Sequence, residues 1–214
     1  MDGMEEGLRE RKKRETRQRI ADMAMGLFMM RGFEDVTVAE VARAADVSVN
    51  TVFNYFRTKE DLFMDRWDEV EDLPSKVVRE RRPGESVLAA FRRDFLDALD
   101  TGDWRYGLNE GAEEFGKLVG DSPSLMARMR ELEHSTDVRL AHTVAEDVEA
   151  DPDDLSPRLV AAQILSVTRL LSRLAVRRKW AGESWREILP DVRRQAEAAF
   201  DLLENGIGRY GVRS

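Results

Sequence analysis

The chain has 214 residues, 42% hydrophobic and 36% charged, with a formal net charge of -8. That apolar share is too large for a disordered chain, and the length supports one or two cored domains. With no cysteine, disulfide staples, thiolate metal sites and cysteine nucleophiles are excluded, and two histidines, His134 and His142, leave most His-based catalysis and metal binding little to work with. No apolar run approaches the roughly 20 residues that span a bilayer, and the N-terminus lacks the apolar segment of a signal peptide. The expectation is a cytoplasmic protein with no membrane partner, no metal and no cofactor.

Strand-like alternation is almost absent, while apolar residues recur at helical spacing throughout, which predicts an all-α chain. Prolines (Pro74, Pro83, Pro123, Pro152, Pro157) and glycines (Gly84, Gly102, Gly120, Gly182) divide it into about nine helices. Charge is uneven along it. Residues 9 to 19, RERKKRETRQR, hold seven basic and two acidic side chains. Residues 1 to 66 hold 12 Lys/Arg against 13 Asp/Glu, and the remainder 22 against 29. A basic arm on a near-neutral segment ahead of an acidic body points to an anionic partner for the N-terminal part.

The first helix is predicted from about Arg9 to Arg31, with Ile20, Met23, Ala24, Leu27 and Phe28 on one apolar stripe and Gly32 as its stop. Thr37-Val38-Ala39-Glu40 has capping-box form and opens a short helix that buries Val38, Val41, Ala42 and Ala45. After a tight turn at Asp46, Ser48 caps a third helix from Val49 to about Tyr55. Thr58-Lys59-Glu60-Asp61 caps a fourth. Two short helices joined by a tight turn and braced by a longer one form a helix-turn-helix pattern. A helix about 10–12 Å across fits the B-DNA major groove, roughly 12 Å wide. The spacing sends Val52 and Phe56 inward and Val49, Asn50, Phe53 and Asn54 outward. That outward set carries no cation, so readout would use Asn amides and apolar contacts to thymine methyls.

Residues 16 to 63, TRQRIADMAMGLFMMRGFEDVTVAEVARAADVSVNTVFNYFRTKEDLF, resemble the TetR family of bacterial transcriptional regulators. Arg-Gly-Phe before the Thr-x-x-Glu cap carries the likeness, as do Val-Ser at the third helix and Tyr55-Phe56 before Thr58-Lys59-Glu60-Asp61-Leu62. The departure is Asp46, where the family usually has glycine; the position tends to need φ > 0, which Asp tolerates better than most residues. The resemblance implies a helix-turn-helix DNA-binding domain at 1–58 and a helical ligand-binding and dimerisation domain at 59–214. It implies phosphate contacts at Thr37 and Lys59, and a groove-entering end at Ser48, Val49, Asn50 and Thr51. Phe53, Asn54 and Tyr55 would face groove or backbone, and the basic arm would touch backbone or minor groove. The implied partners are a double-stranded DNA operator, a small-molecule effector and a second copy of the chain.

The body shows no G-x-S-x-G, Walker A or dinucleotide pattern, so no enzyme is expected. Leu88, Phe91, Phe95 and Leu99 mark a core face. Trp67, Phe91, Phe95, Trp104, Phe115, Met126 and Met129 are large apolar residues available to line a cavity, suggesting an apolar or aromatic effector. Acyl-CoA thioesters are one class the resemblance admits, with Arg169 on the same helices. Glycines at 102, 107, 111, 116 and 120 suit a mobile, gating segment. Val160, Ile164, Val167, Leu171 and Leu174 step by 4, 3, 4, 3. Trp185, Leu189, Val192, Ala196, Ala199 and Leu203 continue that rhythm on the last helix. Both are heptad-like seams, which the resemblance assigns to a four-helix dimer interface. Leu159, Leu165 and Leu170, with Ile188, Phe200 and Ile207, give these helices further apolar faces. Pro190 is expected to kink the last helix or delay its start. The reading is a TetR-type regulator, a repressor released by its effector. Its rivals are an activator or ligand-independent DNA-binding protein, and a helical binding protein or enzyme that leaves its helix-turn-helix unused.

Overall fold

The structure, a computed structural model, describes residues 2–65, 67–208 and 210–212. Among them every regular element is helical: α1 Asp2–Arg31, α2 Val38–Ala44, α3 Val49–Tyr55, α4 Lys59–Phe63, α5 Trp67–Arg79, α6 Val87–Thr101, a 3-10 turn Trp104–Tyr106, α7 Ala112–Asp121, α8 Pro123–Asp147, α9 Ser156–Trp180 and α10 Trp185–Ile207. The fourth helix, opened by Thr58, is short: α4 ends at Phe63 with Met64 as its C-cap, and α5 begins at Trp67. Two prolines read as boundaries or kinks lie within regular helix. Pro74 is inside α5, and α10 starts at Trp185 behind the Ser184–Glu187 capping box with Pro190 already inside it.

By contact the chain forms two compact units. One holds residues 1–67 and 117–129, the other 68–116 and 130–214. The division expected at residues 58/59 follows chain order. In the structure, α4 and the end of α7 with the start of α8 also belong with the N-terminal helices.

The first unit is built on α1. Ile20, Ala21, Ala24 and Phe28 are buried, whereas Met23 of the expected stripe is 41% exposed. Phe28, Phe33 and Phe63 stack about one another at centroid distances of 5.0, 6.0 and 5.9 Å, which locks α4 and the α1–α2 connection onto α1.

The second unit's core comes from α6, α8, α9 and α10. Phe95 lies 5.0 Å from Tyr106 and 6.2 Å from Phe200. The seam expected to meet a second copy mostly closes this core instead. Val160, Ile164, Leu171, Val192 and Ala196 are buried in it, with Val167, Trp185, Leu189 and Leu203 packed against it. Leu174 and Ala199 are half-buried. The reason is geometric, since α9 and α10 pack on each other and on α6 through their most apolar faces. The outward faces hold other apolar residues, Leu159 (58% exposed), Leu170 (61%) and Leu202 (80%). By length and composition α9 could cross a membrane, but its most apolar side is this core.

One cation anchors the second unit internally. Arg81 is buried, donates to the carbonyls of Val78 (2.8 Å), Glu85 (3.2 Å) and Gly211 (2.9 Å), and pairs with Asp147. It ties the end of α5 to α8 and to the C-terminal turn.

Candidate nucleic-acid interface and effector cavity

Each short helix of the first unit is fixed at its start by its own side chains. At α2, Glu40 N–H donates to Thr37 Oγ1 (3.3 Å) and Thr37 N–H to Glu40 Oε2 (2.8 Å). Arg31 Nη1 adds a bond to Glu40 Oε1 at 2.8 Å. At α3, Ser48 Oγ accepts from Thr51 N–H at 3.0 Å and lies 2.8 Å from Thr51 Oγ1. Thr58 and Asp61 close the same kind of box on α4, at 3.1 and 3.2 Å. The hydroxyls of Thr37, Ser48 and Thr51 therefore hold capping partners while facing outward.

The turn between α2 and α3 places Asp46 at φ 52, the left-handed conformation read from the glycine usual there. Val52 and Phe56 are buried, Val49 is 38% and Phe53 50% exposed, and Asn50 and Asn54 are exposed. Half-apolar rings and amides so project from a short helix whose back is fixed. Tyr55, half-buried, offers its carbonyl to Arg17 Nη1 at 3.2 Å. Arg17 also pairs with Asp65 at 2.8 Å and sits 4.7 Å above the Phe56 ring.

Lys59 has a structural task beyond the expected phosphate contact. Its ammonium donates to the Glu34 carbonyl at 3.4 Å and lies 4.2 Å from the Phe33 ring. A group of contacts that sequence spacing gave no sign of surrounds it. Buried Ser122 donates to Glu34 Oε1 at 2.5 Å, and Arg128 pairs with Asp61 at 3.0 Å. Glu60 has its carboxyl lowered overall; burial raises it, outweighed by hydrogen bonds including one from Ser124. These residues are about 60 to 90 positions apart in the chain, and no periodicity joins them.

The second unit contains a cavity of about 190 Å³ lined by Leu73, Lys76, Val77, Glu80, Arg93, Asp94 and Arg105. Three cations and two carboxylates surround it, and two aliphatic side chains make up the rest. Arg93 is braced by Glu85 at 2.9 and 3.0 Å, and Arg105 by Asp103 at 2.7 Å. The Tyr106 hydroxyl donates to Asp94 at 2.7 Å, and burial, with that carboxylate, pushes the phenol well above its ordinary range.

None of the seven residues expected to line a pocket lines this cavity. Phe91 and Phe95 are sealed in the core, Trp104 is 44% and Met126 36% exposed, and Phe115 is half-buried. Trp67, Met126 and Met129 belong to the first unit. Large apolar residues at helical spacing serve here as core or surface. Arg169 faces Asp137 (3.2 Å) and the Glu133 carbonyl (3.0 Å) and is not among the lining residues.

The geometry of the first unit is that of a helix-turn-helix DNA-binding module. Residues 20–65 match the family model described as bacterial regulatory proteins, tetR family. The chain is 32% identical to the HTH-type transcriptional regulator TcmR of Streptomyces glaucescens, over 78% of this chain and 76% of that one. It is 30% identical to AcrR of Shigella flexneri, over 69% and 72% of the two chains. Among solved structures, Salmonella enterica GusR shares the fold, with a TM-score of 0.56, 16% identity and coverage of 89% and 94%. The chain belongs to the TetR family and is a helix-turn-helix transcriptional regulator.

Proposed function

We propose that the protein is a homodimeric repressor that binds a palindromic operator through α3 and leaves it when a small molecule occupies the second unit. The observation that supports this best is the division of α3, with Val52 buried while Val49, Asn50, Phe53 and Asn54 face out. Thr37, Ser48, Thr51, Tyr55 and Lys59 flank that face, so phosphate contacts can fix the register while α3 meets base edges. The relatives named above are regulators and not enzymes, which supports a role in binding alone.

A two-fold dimer presents two copies of α3 to two half-sites. The face we assign to it is the outward one. Leu159, Ala162, Ser166 and Leu170 on α9 and Gln195, Ala198 and Leu202 on α10 are all exposed and share one side of each helix. Leucines flanked by small residues suit close helix packing. The cavity favours a polar effector over the apolar one suggested by the sequence. Its volume falls below the roughly 300–1,000 Å³ of drug-sized sites, so the fit is to a small metabolite. Helices α7 and α8 each have residues in both units. An effector that favours one arrangement of these helices shifts the DNA-binding equilibrium, and DNA shifts effector affinity by the same factor.

The test joins mass and binding. Wild-type protein at micromolar concentration should sediment as a dimer and retard duplex DNA at low salt. Leu159→Glu combined with Leu170→Glu should give a folded monomer with at least tenfold weaker binding. A monomeric wild type overturns the dimer, and a dimeric double variant overturns the assigned face.

A further inference from the structure

The cavity of the second unit has two unlike walls. Leu73, Lys76, Val77 and Glu80 recur at i, i+3, i+4 and i+7, so they share one side of α5 and its end. Arg93 and Asp94 of α6 and Arg105 of the 3-10 turn complete the lining. The volume of about 190 Å³ equals that of about six waters, so an occupant has few non-hydrogen atoms.

The charges on this lining are held in place but only partly used. Glu85 accepts from Arg93 Nε and Nη2 at 2.9 and 3.0 Å, and Asp103 accepts from Arg105 Nε at 2.7 Å. Those carboxylates push both guanidinium groups further above their ordinary range. Among the described residues Arg93 Nη1 makes no hydrogen bond. Asp94 Oδ2 accepts the Tyr106 hydroxyl at 2.7 Å, while Oδ1 has only Arg105 Nη1, at 3.5 Å. The side chains of Lys76 and Glu80 are exposed and meet only each other, at 3.8 Å, among the described residues. Spare donors on two cations and spare acceptors on two carboxylates so surround one small space.

The signs are close to balance, because each arginine already has a carboxylate brace outside the lining. A small anion would enter beside Glu80 and Asp94, and a small cation beside Lys76, Arg93 and Arg105. Like charges held that close in a site partly closed from water repel. A molecule carrying both signs satisfies both sets through charge-assisted hydrogen bonds. Leu73 and Val77 leave an aliphatic strip for the rest of it.

We infer that the cavity takes a small zwitterion, a free α-amino acid with an aliphatic side chain. Its carboxylate meets Arg93 and Lys76, its ammonium meets Asp94 and Glu80, and its side chain lies on Leu73 and Val77. The small volume requires the two charges to be close together, as an α-amino acid has them. This rests on the reading of the cavity as the effector site.

Calorimetric titration of the full chain, without DNA, with L-valine, L-leucine and L-isoleucine tests the class. At least one should bind saturably. Loss of one charge-assisted bond weakens binding about tenfold. That is the loss expected for 3-methylbutanoate, which lacks the ammonium, and for 2-methylpropylamine, which lacks the carboxylate. Asp94→Asn should weaken the amino acid and leave 3-methylbutanoate unchanged. Glu80→Gln should repeat that pattern from an exposed position with unchanged thermal unfolding, whereas Lys76→Gln should weaken both ligands. Analogues of one charge that bind as well as the amino acids overturn the class, as does D-ribose binding as tightly, since a neutral polyol uses neither charge. No binding by any of the three amino acids at millimolar concentration overturns it too, and leaves the effector reading to another ligand. If they bind and retention of duplex DNA is unchanged, the effector reading fails and the class stands.

Discussion

At the start of α2 a single carboxylate satisfies several groups at once. Glu40 accepts the Thr37 backbone N–H, the Arg31 guanidinium and the Thr37 hydroxyl, in that order of influence, and these hold its carboxyl at about 2, below its ordinary 4.5. A carboxylate with a depressed folded-state value stabilises the fold above its ordinary value, and that contribution disappears as pH falls through the depressed one. Thermal unfolding of the wild type should therefore lose stability from about pH 4.5 down towards 2. Glu40→Gln should show a flatter profile there, and parallel profiles would refute the role. This box was legible in four consecutive residues, as were the inward Val52 and Phe56 and the left-handed Asp46, because short-range geometry decides them. The bonds from Ser122 to Glu34 and from Arg128 to Asp61 were not, since only the tertiary fold brings such distant residues together.

Elements were legible where periodicity ruled and less so where proline and glycine did. Pro74 reads as a boundary yet lies inside α5, and Pro190, expected to kink the last helix or delay its start, lies inside an α10 that already begins at Trp185. The glycines of 102–120 read as a flexible gate; in the structure several answer local geometric needs. Gly102, Gly107 and Gly111 take φ of 65, 64 and 89°. Gly116 lets α7 approach α9, since a Cβ there would lie 3.2 Å from both Val176 and Trp180. Gly116→Val should then overpack this contact and cost about 1–3 kcal/mol in denaturant unfolding. Gly26→Ala, in the interior of α1 with nothing within 4 Å, should raise stability by about 0.5–1 kcal/mol. A neutral Gly116→Val would show that α7 does not depend on this approach. The seams of α9 and α10 had two candidate faces at the outset, and packing put the more regular one inside, leaving Leu159, Leu170 and Leu202 to the surface.

For the whole molecule, the overall acidity is an average over unlike parts. Most of the net negative charge lies beyond residue 66, while Arg11, Lys12, Lys13 and Arg14 form an exposed basic turn on α1. A local run of cations attracts an anionic partner even in a chain of acidic total. The cavity of the second unit was hidden in the sequence because it is lined by ordinary surface residue types, Lys76, Glu80, Arg93, Asp94 and Arg105, which only the fold brings together. The central claim is that α3 reads base edges, and selection from a random-sequence pool by the wild type and by Asn50→Ala tests it directly. The wild type should enrich two-fold symmetric sites, and Asn50→Ala should lose preference at the same position of both half-sites while keeping the others. An unchanged selection profile would contradict base reading by Asn50, and enrichment of no sequence at all would contradict the claim itself.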